Sequence, residues 1–228
     1  MLSVIIPVYN EVNTISNILE KVQNVATEKE IILVDDFSSD GTREFLKEKF
    51  MHDAGNIKII YHDRNLGKGA AVKNALSLAS GNYVIIQDAD LEYNPDDYIL
   101  LLTAAQKENA DVIYGSRFLK TWKTTSWWHF LGNSLLTAVT NILYGSRLTD
   151  METCYKLIKT SIFKSLDIQA KRFEIEPEIT ARLLKGGYKI IEVPISYRGR
   201  GYHEGKKIGW KDGFATLWTL LKYRFVSF

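Results

Sequence analysis

The sequence predicts an α/β protein in which a mainly parallel sheet is covered by helices on both faces. Three observations support this fold class. Short, nearly continuous apolar runs alternate with longer segments whose apolar residues recur at helical spacing. The runs lack the alternation of half-exposed strands, which is typical of strands buried on both faces. Polar residues follow each run, as expected where parallel strands end at a ligand site.

The first two strands are predicted at 2–8 (LSVIIPV) and 30–36 (EIILVDD). A helix is predicted between them because apolar residues recur every three or four positions: Ile15, Ile18, Leu19, Val22 and Val25. A short helix from Gly41 to Phe50 follows the second strand, and Phe45, Leu46 and Phe50 form its apolar face.

Three more strands are predicted at 57–62 (IKIIYH), 83–88 (YVIIQD) and 110–115 (ADVIYG). A helix from Lys68 to Ala79 separates the first two of these strands. A helix from Pro95 to Lys107 precedes the third, and Pro95 suits its first turn because the missing N–H costs little there.

Composition excludes several classes of protein. The 228 residues include 29 basic and 27 acidic residues, so the net charge of +2 argues against a nucleic-acid partner. The single cysteine, Cys154, excludes an internal disulfide and suits a reducing compartment. No run of apolar residues is long enough for a membrane-spanning helix, and no secretory signal is expected.

Acidic and polar side chains follow the predicted strands, where a parallel sheet binds its ligands. Such a concentration of carboxylates needs bound cations or hydrogen-bond donors, which a divalent metal and a sugar nucleotide would supply. The residues concerned are Pro7, Tyr9, Glu11, Asp35, Asp36, Asp40, Asn65, Lys68, Asp88, Asp90, Glu92, Ser116 and Arg117.

Several motifs occur in an order that resembles one enzyme family, the inverting family 2 glycosyltransferases. They are SVIIPVYNE, LVDDFSSDGT, NLGKGAAVKNAL, DADLEY, GSRF and EVPISYRGR, and together they cover roughly residues 2 to 200. Within that family the chain resembles the branch that makes polyprenyl-phosphate sugars, such as dolichyl-phosphate mannose synthase and undecaprenyl-phosphate glucose synthase. The resemblance implies the Rossmann-like GT-A fold for a catalytic domain at 1–200.

The DAD motif predicts a metal site. Strand alternation would place Asp88 and Asp90 on one side of an extended segment, where their oxygens suit Mg²⁺ or Mn²⁺. The resemblance implies that Asp90 is the main metal ligand and a catalytic residue, with Asp88 nearer the nucleotide. It implies Glu92 as a third ligand, although many relatives have Gln there. The alternative is a solvated acidic turn.

The resemblance also implies a set of nucleotide-sugar contacts. It assigns one of Asp35 and Asp36, preferably Asp36, to the base of the nucleotide, and it assigns the lining of the base and ribose to Pro7, Tyr9 and Glu11. Lys68 lies between glycines at a predicted helix start, which suits a phosphate contact. The alternative for Lys68 is an ordinary exposed lysine.

The acceptor is predicted to be the phosphate of a polyprenyl phosphate. Arg117, Arg198 and Arg200 suit an anionic acceptor, and Arg117 is also assigned a catalytic role. A phosphate monoester is mostly dianionic at neutral pH and needs no general base. The QxxRW motif of processive family members is missing, which argues against polymer synthesis.

The alternative acceptor is a saccharide or protein hydroxyl, used by a transferase that needs no lipid. A hydroxyl needs a general base, and Asp150 and Glu152 in TDMETCYK are the candidates for it. The roles of Glu174 and Glu176 stay open at this point.

The sequence predicts two amphipathic helices, and their apolar faces suit contact with a membrane surface. One spans about 122–145 and has Trp128, Leu131, Leu135, Val139 and Ile142 on one stripe. The other lies in the basic segment 201–228 and carries the stripe Trp210, Phe214, Leu217, Trp218, Leu221 and Phe225. We therefore expect a peripheral protein on the cytoplasmic face of a membrane, with or without a separate membrane-anchor subunit. The alternative is that both helices simply cover the sheet.

Overall fold

The computed structural model describes residues 1–51, 55–119, 127–199 and 210–226. Within these residues the strands are β1 (Leu2–Val8), β2 (Lys29–Asp35), β3 (Ile57–Tyr61), β4 (Tyr83–Ile86), β5 (Val112–Ser116), β6 (Lys156–Lys159) and β7 (Ile190–Pro194). The helices are α1 (Ile15–Asn24), α2 (Thr42–Lys49), α3 (Lys68–Leu78), α4 (Asp97–Lys107), α5 (Trp127–Tyr144), α6 (Thr160–Ser165), α7 (Ile175–Lys185) and α8 (Trp210–Phe225).

The strands form one mixed sheet in the order β3-β2-β1-β4-β6-β5-β7. The pairs of β1 with β2 and β4, of β2 with β3, and of β5 with β7 are parallel. Strand β6 is antiparallel to both β4 and β5 and separates them. The predicted α/β fold with a mainly parallel sheet is confirmed, whereas the inserted antiparallel strand was not predicted.

The hydrophobic core consists of the apolar runs that were predicted to form the strands. The strands β1, β2 and β4 bury their apolar side chains completely, from Val4 to Ile6, from Ile31 to Val34 and from Val84 to Ile86. Helix α1 covers one face with Ile15, Ile18, Leu19 and Val22, all of which are fully buried. Burial of such a side chain stabilises the fold by about 1.5–3 kcal/mol, so these runs determine the sheet.

A second, smaller cluster joins three helices beside the sheet. Leu220 and Tyr223 of α8 are buried against Ala181 of α7 and Met151, and residues of α5 pack on the same cluster. The Tyr144 hydroxyl of α5 donates a 2.7 Å hydrogen bond to the Leu220 carbonyl. One face of α8 is therefore fixed against α5 and α7.

The opposite faces of α5 and α8 expose apolar side chains. Ile142 is 82% exposed, Trp218 69% and Phe225 77%, and Leu131, Leu135 and Phe214 are also exposed. No helix in the described residues is long and apolar enough to cross a membrane. The predicted contact with a membrane surface stays a prediction, and the predicted helix segment 122–126 and the basic residues 201–209 lie outside the described part of the chain.

Candidate active site

A cavity of about 700 Å³ lies at the carboxyl ends of the strands. It brings together nine of the residues that the sequence predicted for the site: Pro7, Tyr9, Glu11, Asp36, Lys68, Asp88, Asp90, Glu92 and Arg117. Asp35 and Arg198 do not line it, and Arg200 lies outside the described residues.

The loops after β1, β2 and β4 hold strained backbone. Asn10, Phe37 and Leu91 have positive φ angles of 53°, 66° and 63°, although none of them is glycine. Hydrogen bonds between the loops after β1 and β2 help to maintain the conformations of Asn10 and Phe37. Ser38 Oγ accepts from the Asn10 amide, and Asn10 Oδ1 accepts from the Ser39 amide. Such strain costs about 1–3 kcal/mol per residue and is common at functional sites.

Asp36 organises the next loop of the cavity. Its Oδ1 accepts from the Leu66 amide and its Oδ2 from the Gly67 amide, both at 2.7 Å. Its Oδ1 also lies 2.8 Å from Nδ1 of the buried His62 ring. The carboxylate that was predicted to contact the nucleotide base thus also fixes the loop that borders the cavity.

Asp35 has a different environment from Asp36. It is completely buried, and its Oδ2 accepts a 2.5 Å hydrogen bond from Arg43 Nε. Its Oδ1 accepts from the Ser38 amide. Asp35 therefore holds the start of the loop after β2 from behind the cavity.

The glycines beside Lys68 have a packing role. A Cβ atom on Gly67 would lie 2.3 Å from the Lys171 carbonyl oxygen, and one on Gly69 would lie 2.3 Å from the Ala170 oxygen. The Ala70 amide donates to the Lys171 carbonyl at 3.1 Å. Close approach of the 170–171 backbone explains these glycines without a phosphate ligand.

Lys68 itself is a largely buried residue at 13% side-chain exposure, not an exposed surface lysine. Its Nζ lies 2.7 Å from Asp88 Oδ1 and 3.1 Å from Glu176 Oε1. Burial alone would lower the pKa of Lys68, but the adjacent carboxylates, Asp88 above all, outweigh it and raise the pKa well above its ordinary value. The cavity thus contains a charged ammonium against the first aspartate of the DAD motif.

The geometry of the DAD motif differs from the predicted extended segment. Strand β4 ends at Ile86, and Asp90 lies in a turn that continues through Leu91. Asp90 Oδ1 accepts from the Glu92 amide at 3.1 Å, which stabilises the turn. Both aspartates still line the cavity. Asp88 and Asp90 therefore face the same cavity because of this turn, and not because of the side-chain alternation of an extended strand.

The carboxylates Asp88 and Asp90 are oxygen ligands of the kind that suits a divalent cation. In the described part of the chain, no group of three His, Cys, Asp or Glu side chains could hold a metal by itself. Asp88 and Asp90 would supply two carboxylates, and Mg²⁺ commonly completes its shell with water and substrate phosphates. Glu92 Oε2 accepts a 2.7 Å hydrogen bond from Tyr197, so Glu92 is positioned by that contact.

Arg117 is held by Asp150. The Asp150 carboxylate accepts from the Arg117 amide at 2.9 Å and from Nε and Nη2 at 2.7 Å each. The guanidinium also lies over the ring of Tyr197 at 5.2 Å. Both Asp150 oxygens are therefore committed to Arg117, which makes Asp150 a poor general base.

Glu192 on β7 extends this arrangement, because it accepts hydrogen bonds from the Thr149 and Asp150 amides. Arg198 is exposed and does not line the cavity, and its amide donates to the Glu92 carbonyl. The sequence did not reveal these supporting roles, because each partner lies far away along the chain.

Glu152 is the second acidic residue of TDMETCYK, and it does line the cavity. Burial raises its pKa to about 7, and the nearby Glu176 carboxylate adds to this, while Lys156 opposes it. Its Oε1 is one of two buried side-chain oxygens in the described residues without a hydrogen-bond partner, the other being Glu176 Oε1. Thr216 of α8 also lines the cavity, which links α8 to the site.

Comparison with known proteins defines the class of enzyme. Residues 3–167 match the model of glycosyl transferase family 2, so the chain belongs to that family and is a glycosyltransferase. Polyprenol monophosphomannose synthase of Mycolicibacterium smegmatis is 27% identical over 90% of this chain and 80% of its own. Dolichol-phosphate mannosyltransferase of Pyrococcus furiosus is 29% identical over 91% of this chain, which spans 59% of that relative.

A solved structure shows the same fold. Glucosyl-3-phosphoglycerate synthase from Mycobacterium tuberculosis, in complex with Mn²⁺, uridine diphosphate and glucosyl-3-phosphoglycerate, has a TM-score of 0.71 to this chain. It is 18% identical and is matched over 100% of this chain and 81% of its own. The resemblance to the polyprenyl-phosphate sugar synthase branch is confirmed by the relatives, and the GT-A fold by this structure.

Proposed function

We propose that the protein transfers a hexose from a nucleotide-diphosphate sugar, GDP-mannose or UDP-glucose, to a polyprenyl phosphate, with inversion and with Mg²⁺ or Mn²⁺. The relatives named above carry out transfers to polyprenol or dolichol phosphate according to their names. One observation carries the proposal. A single cavity contains the carboxylates Asp88 and Asp90 at one position and a rigidly paired arginine, Arg117, at another.

The two groups suit the two substrates. A divalent cation bound by Asp88 and Asp90 would supply positive charge to the departing diphosphate. Asp36, Pro7, Tyr9 and Glu11 line the same cavity and provide a path for the nucleoside.

Arg117 supports a phosphate acceptor. Because Asp150 fixes the guanidinium, it can orient an acceptor oxygen for in-line attack on the anomeric carbon. The acceptor phosphate is already ionised, so this reaction requires no proton transfer to the protein. Arg198 and Arg200 remain proposed contacts for the same phosphate.

We also propose that the exposed apolar faces of α5 and α8 contact the cytoplasmic surface of a membrane. Trp218, Phe214 and Phe225 are exposed on α8, with Lys222 and Arg224 beside them. An apolar helix face flanked by basic residues favours the headgroup region. Thr216, on the inner face of α8, lines the cavity and would bring the lipid acceptor near Arg117. The alternative partner for these apolar faces is a separate membrane-anchor subunit.

The test is transfer of radiolabel from GDP-mannose, and separately from UDP-glucose, into a butanol-extractable product with polyprenyl phosphate and Mn²⁺ present. Label in the lipid phase with one donor would support the proposal and identify the donor. Absence of lipid label with both donors, in a preparation that binds nucleotide in a metal-dependent way, would refute the lipid acceptor. Flotation with anionic vesicles tests the membrane contact, and a Trp218→Ala variant should bind them more weakly.

A hydroxyl acceptor is the second candidate, and Glu152 favours it. A carboxyl group with a pKa of about 7 inside the cavity suits a general base at neutral pH. Transfer to soluble saccharides without lipid, together with a loss of about 10²–10⁴-fold in Glu152→Gln, would establish this alternative. A phosphate acceptor predicts a much smaller effect of the same substitution.

A further inference from the structure

Four charged side chains form a buried row beside the DAD motif. Asp88 contacts Lys68 at 2.7 Å, Lys68 contacts Glu176 at 3.1 Å, and Glu176 Oε2 contacts Lys156 at 2.8 Å. All four are buried or mostly buried, with side-chain exposures between 0% and 23%. Charges in such an environment interact strongly and are screened little by salt.

The row presents a conflict at Asp88. The proposed function assigns this carboxylate to a divalent cation, but the Lys68 ammonium already lies against its Oδ1. A cation at a coordination distance of about 2.0–2.6 Å would repel an ammonium on the same carboxylate. The two cations therefore compete for Asp88.

Glu176 offers Lys68 a second partner. Its Oε1 lies 3.1 Å from Lys68 Nζ, an ion pair without the geometry of a hydrogen bond. The other oxygen, Oε2, is held by Lys156, whose ammonium is completely buried and also donates to the Met151 and Thr153 carbonyls. Glu176 is therefore an anchored carboxylate with one oxygen available to Lys68.

We propose that Lys68 is an exchangeable counter-ion of the metal site. Lys68 bridges Asp88 Oδ1 and Glu176 Oε1 in this structure; with a cation on Asp88, the ammonium would leave Asp88, keep Glu176 Oε1 and face the incoming diphosphate. Glu176 is thus a positioning residue that acts through Lys68. The inference rests on the proposed function, because it requires the cation site at Asp88 and Asp90.

The test measures Mn²⁺ affinity without nucleotide, by electron paramagnetic resonance of free Mn²⁺. Lys68→Met removes the competing ammonium and should lower the Kd for Mn²⁺ about tenfold or more. Glu176→Gln keeps the ammonium on Asp88 and should raise the Kd severalfold. Lys73→Met is the matched control, because Lys73 is a half-exposed lysine on the same helix that forms a 3.7 Å ion pair with Asp167. The Kd of this variant for Mn²⁺ should equal that of wild type.

The double variant Lys68→Met with Glu176→Gln shows whether Glu176 affects Mn²⁺ affinity through Lys68 or simply through its own negative charge. If Glu176 acts through Lys68, Glu176→Gln should not change the Kd once Lys68 is Met, whereas a simple loss of negative charge would weaken binding in both backgrounds. Lys68→Gln serves as a second variant if Lys68→Met folds poorly, which thermal unfolding would show.

Three outcomes are decisive. Tighter Mn²⁺ binding in Lys68→Met that is insensitive to Glu176→Gln supports the exchange. Unchanged or weaker binding in both Lys68 variants, with normal binding in wild type, overturns the exchange and leaves the proposed function standing. Absence of Mn²⁺ binding in wild type both without and with a saturating nucleoside diphosphate, with no difference from Asp90→Ala, overturns the metal site, and the exchange with it. If wild type binds Mn²⁺ only when the diphosphate is present, the same variants are compared in its presence.

Discussion

The pair of Arg117 and Asp150 allows a sharp prediction, because replacing Asp150 with Ala leaves a buried guanidinium without its counter-charge. The Arg117 side chain is 9% exposed and that of Asp150 is 0% exposed. Three hydrogen bonds to the carboxylate would be lost at once. The effect is therefore that of an uncompensated buried charge and not that of a surface ion pair.

The expected loss of stability follows from this burial. Breaking a buried ion pair by removing one partner typically costs about 3–5 kcal/mol. For a chain of this size, such a change lowers the midpoint of thermal unfolding by about 6–20 °C. The Km for the acceptor should also rise, because Arg117 loses its orientation, while the Km for the donor should change little.

Urea unfolding and steady-state kinetics with each substrate varied would measure both effects. The control is Asp111→Ala, which removes an ion pair of 2.5 Å to Lys159 whose side chains are 43% and 41% exposed. That substitution should cost far less stability than Asp150→Ala, because solvent screens an exposed ion pair. Equal losses in the two variants, or a loss below about 1 kcal/mol in Asp150→Ala, would refute the reasoning.

Three further predictions concern other carboxylates. Asp90→Ala should reduce transfer at least about 10²-fold in a label-transfer assay, with unchanged thermal unfolding; normal activity in the presence of a chelator would contradict the metal assignment. The raised pKa of Glu152, about 7, means that the folded state binds the extra proton. Wild-type stability relative to Glu152→Gln should therefore fall by up to about 3 kcal/mol as pH rises from 4.5 to beyond 7, and a pH-independent difference would argue against the assignment. Burial would raise the pKa of Glu30, but hydrogen bonds from Lys58, Ser3 and Ser80 lower it to about 2. Stability relative to Glu30→Gln, measured by urea unfolding, should be fully present above pH 4.5 and should fall by about 1–2 kcal/mol as pH decreases toward 2, because solvent screens the half-exposed Lys58 partner; a flat profile would show that the hydrogen bonds form equally well to a neutral group.

The first five strands could be predicted from sequence because each is a local apolar run. Strand β2 is buried along its length from Glu30 to Asp35, and its short, continuous apolar run between polar residues distinguishes it from its surroundings. The convergence of Asp36, Asp88 and Arg117 also followed from a general rule about parallel strand ends. These predictions required no knowledge of contacts between residues that are distant in the sequence.

Other features depend on distant partners and were therefore hidden. Strand β6 is only four residues long, and its place between β4 and β5 is set by pairing on both sides. Asp150 and Glu176 are ordinary acidic residues in the sequence, and only the fold brings them to Arg117 and Lys68. Likewise, the turn at Leu91 depends on a positive φ that leucine rarely adopts, so no local signal indicated it.

The strand order has a consequence for how the enzyme is made. Strands β1 to β4 form one contiguous part of the sheet and come from residues 2–86, so the part of the sheet that carries the proposed nucleoside contacts Pro7, Tyr9 and Asp36 is synthesised first. Arg117, by contrast, is fixed by Asp150, whose loop is fixed in turn by Glu192 on the edge strand β7. Because the ribosome delivers the chain from its N-terminus, a nascent chain should acquire nucleotide binding before acceptor binding. Stalled chains of increasing length, probed for each substrate, would show the order in which the two halves of the reaction become available.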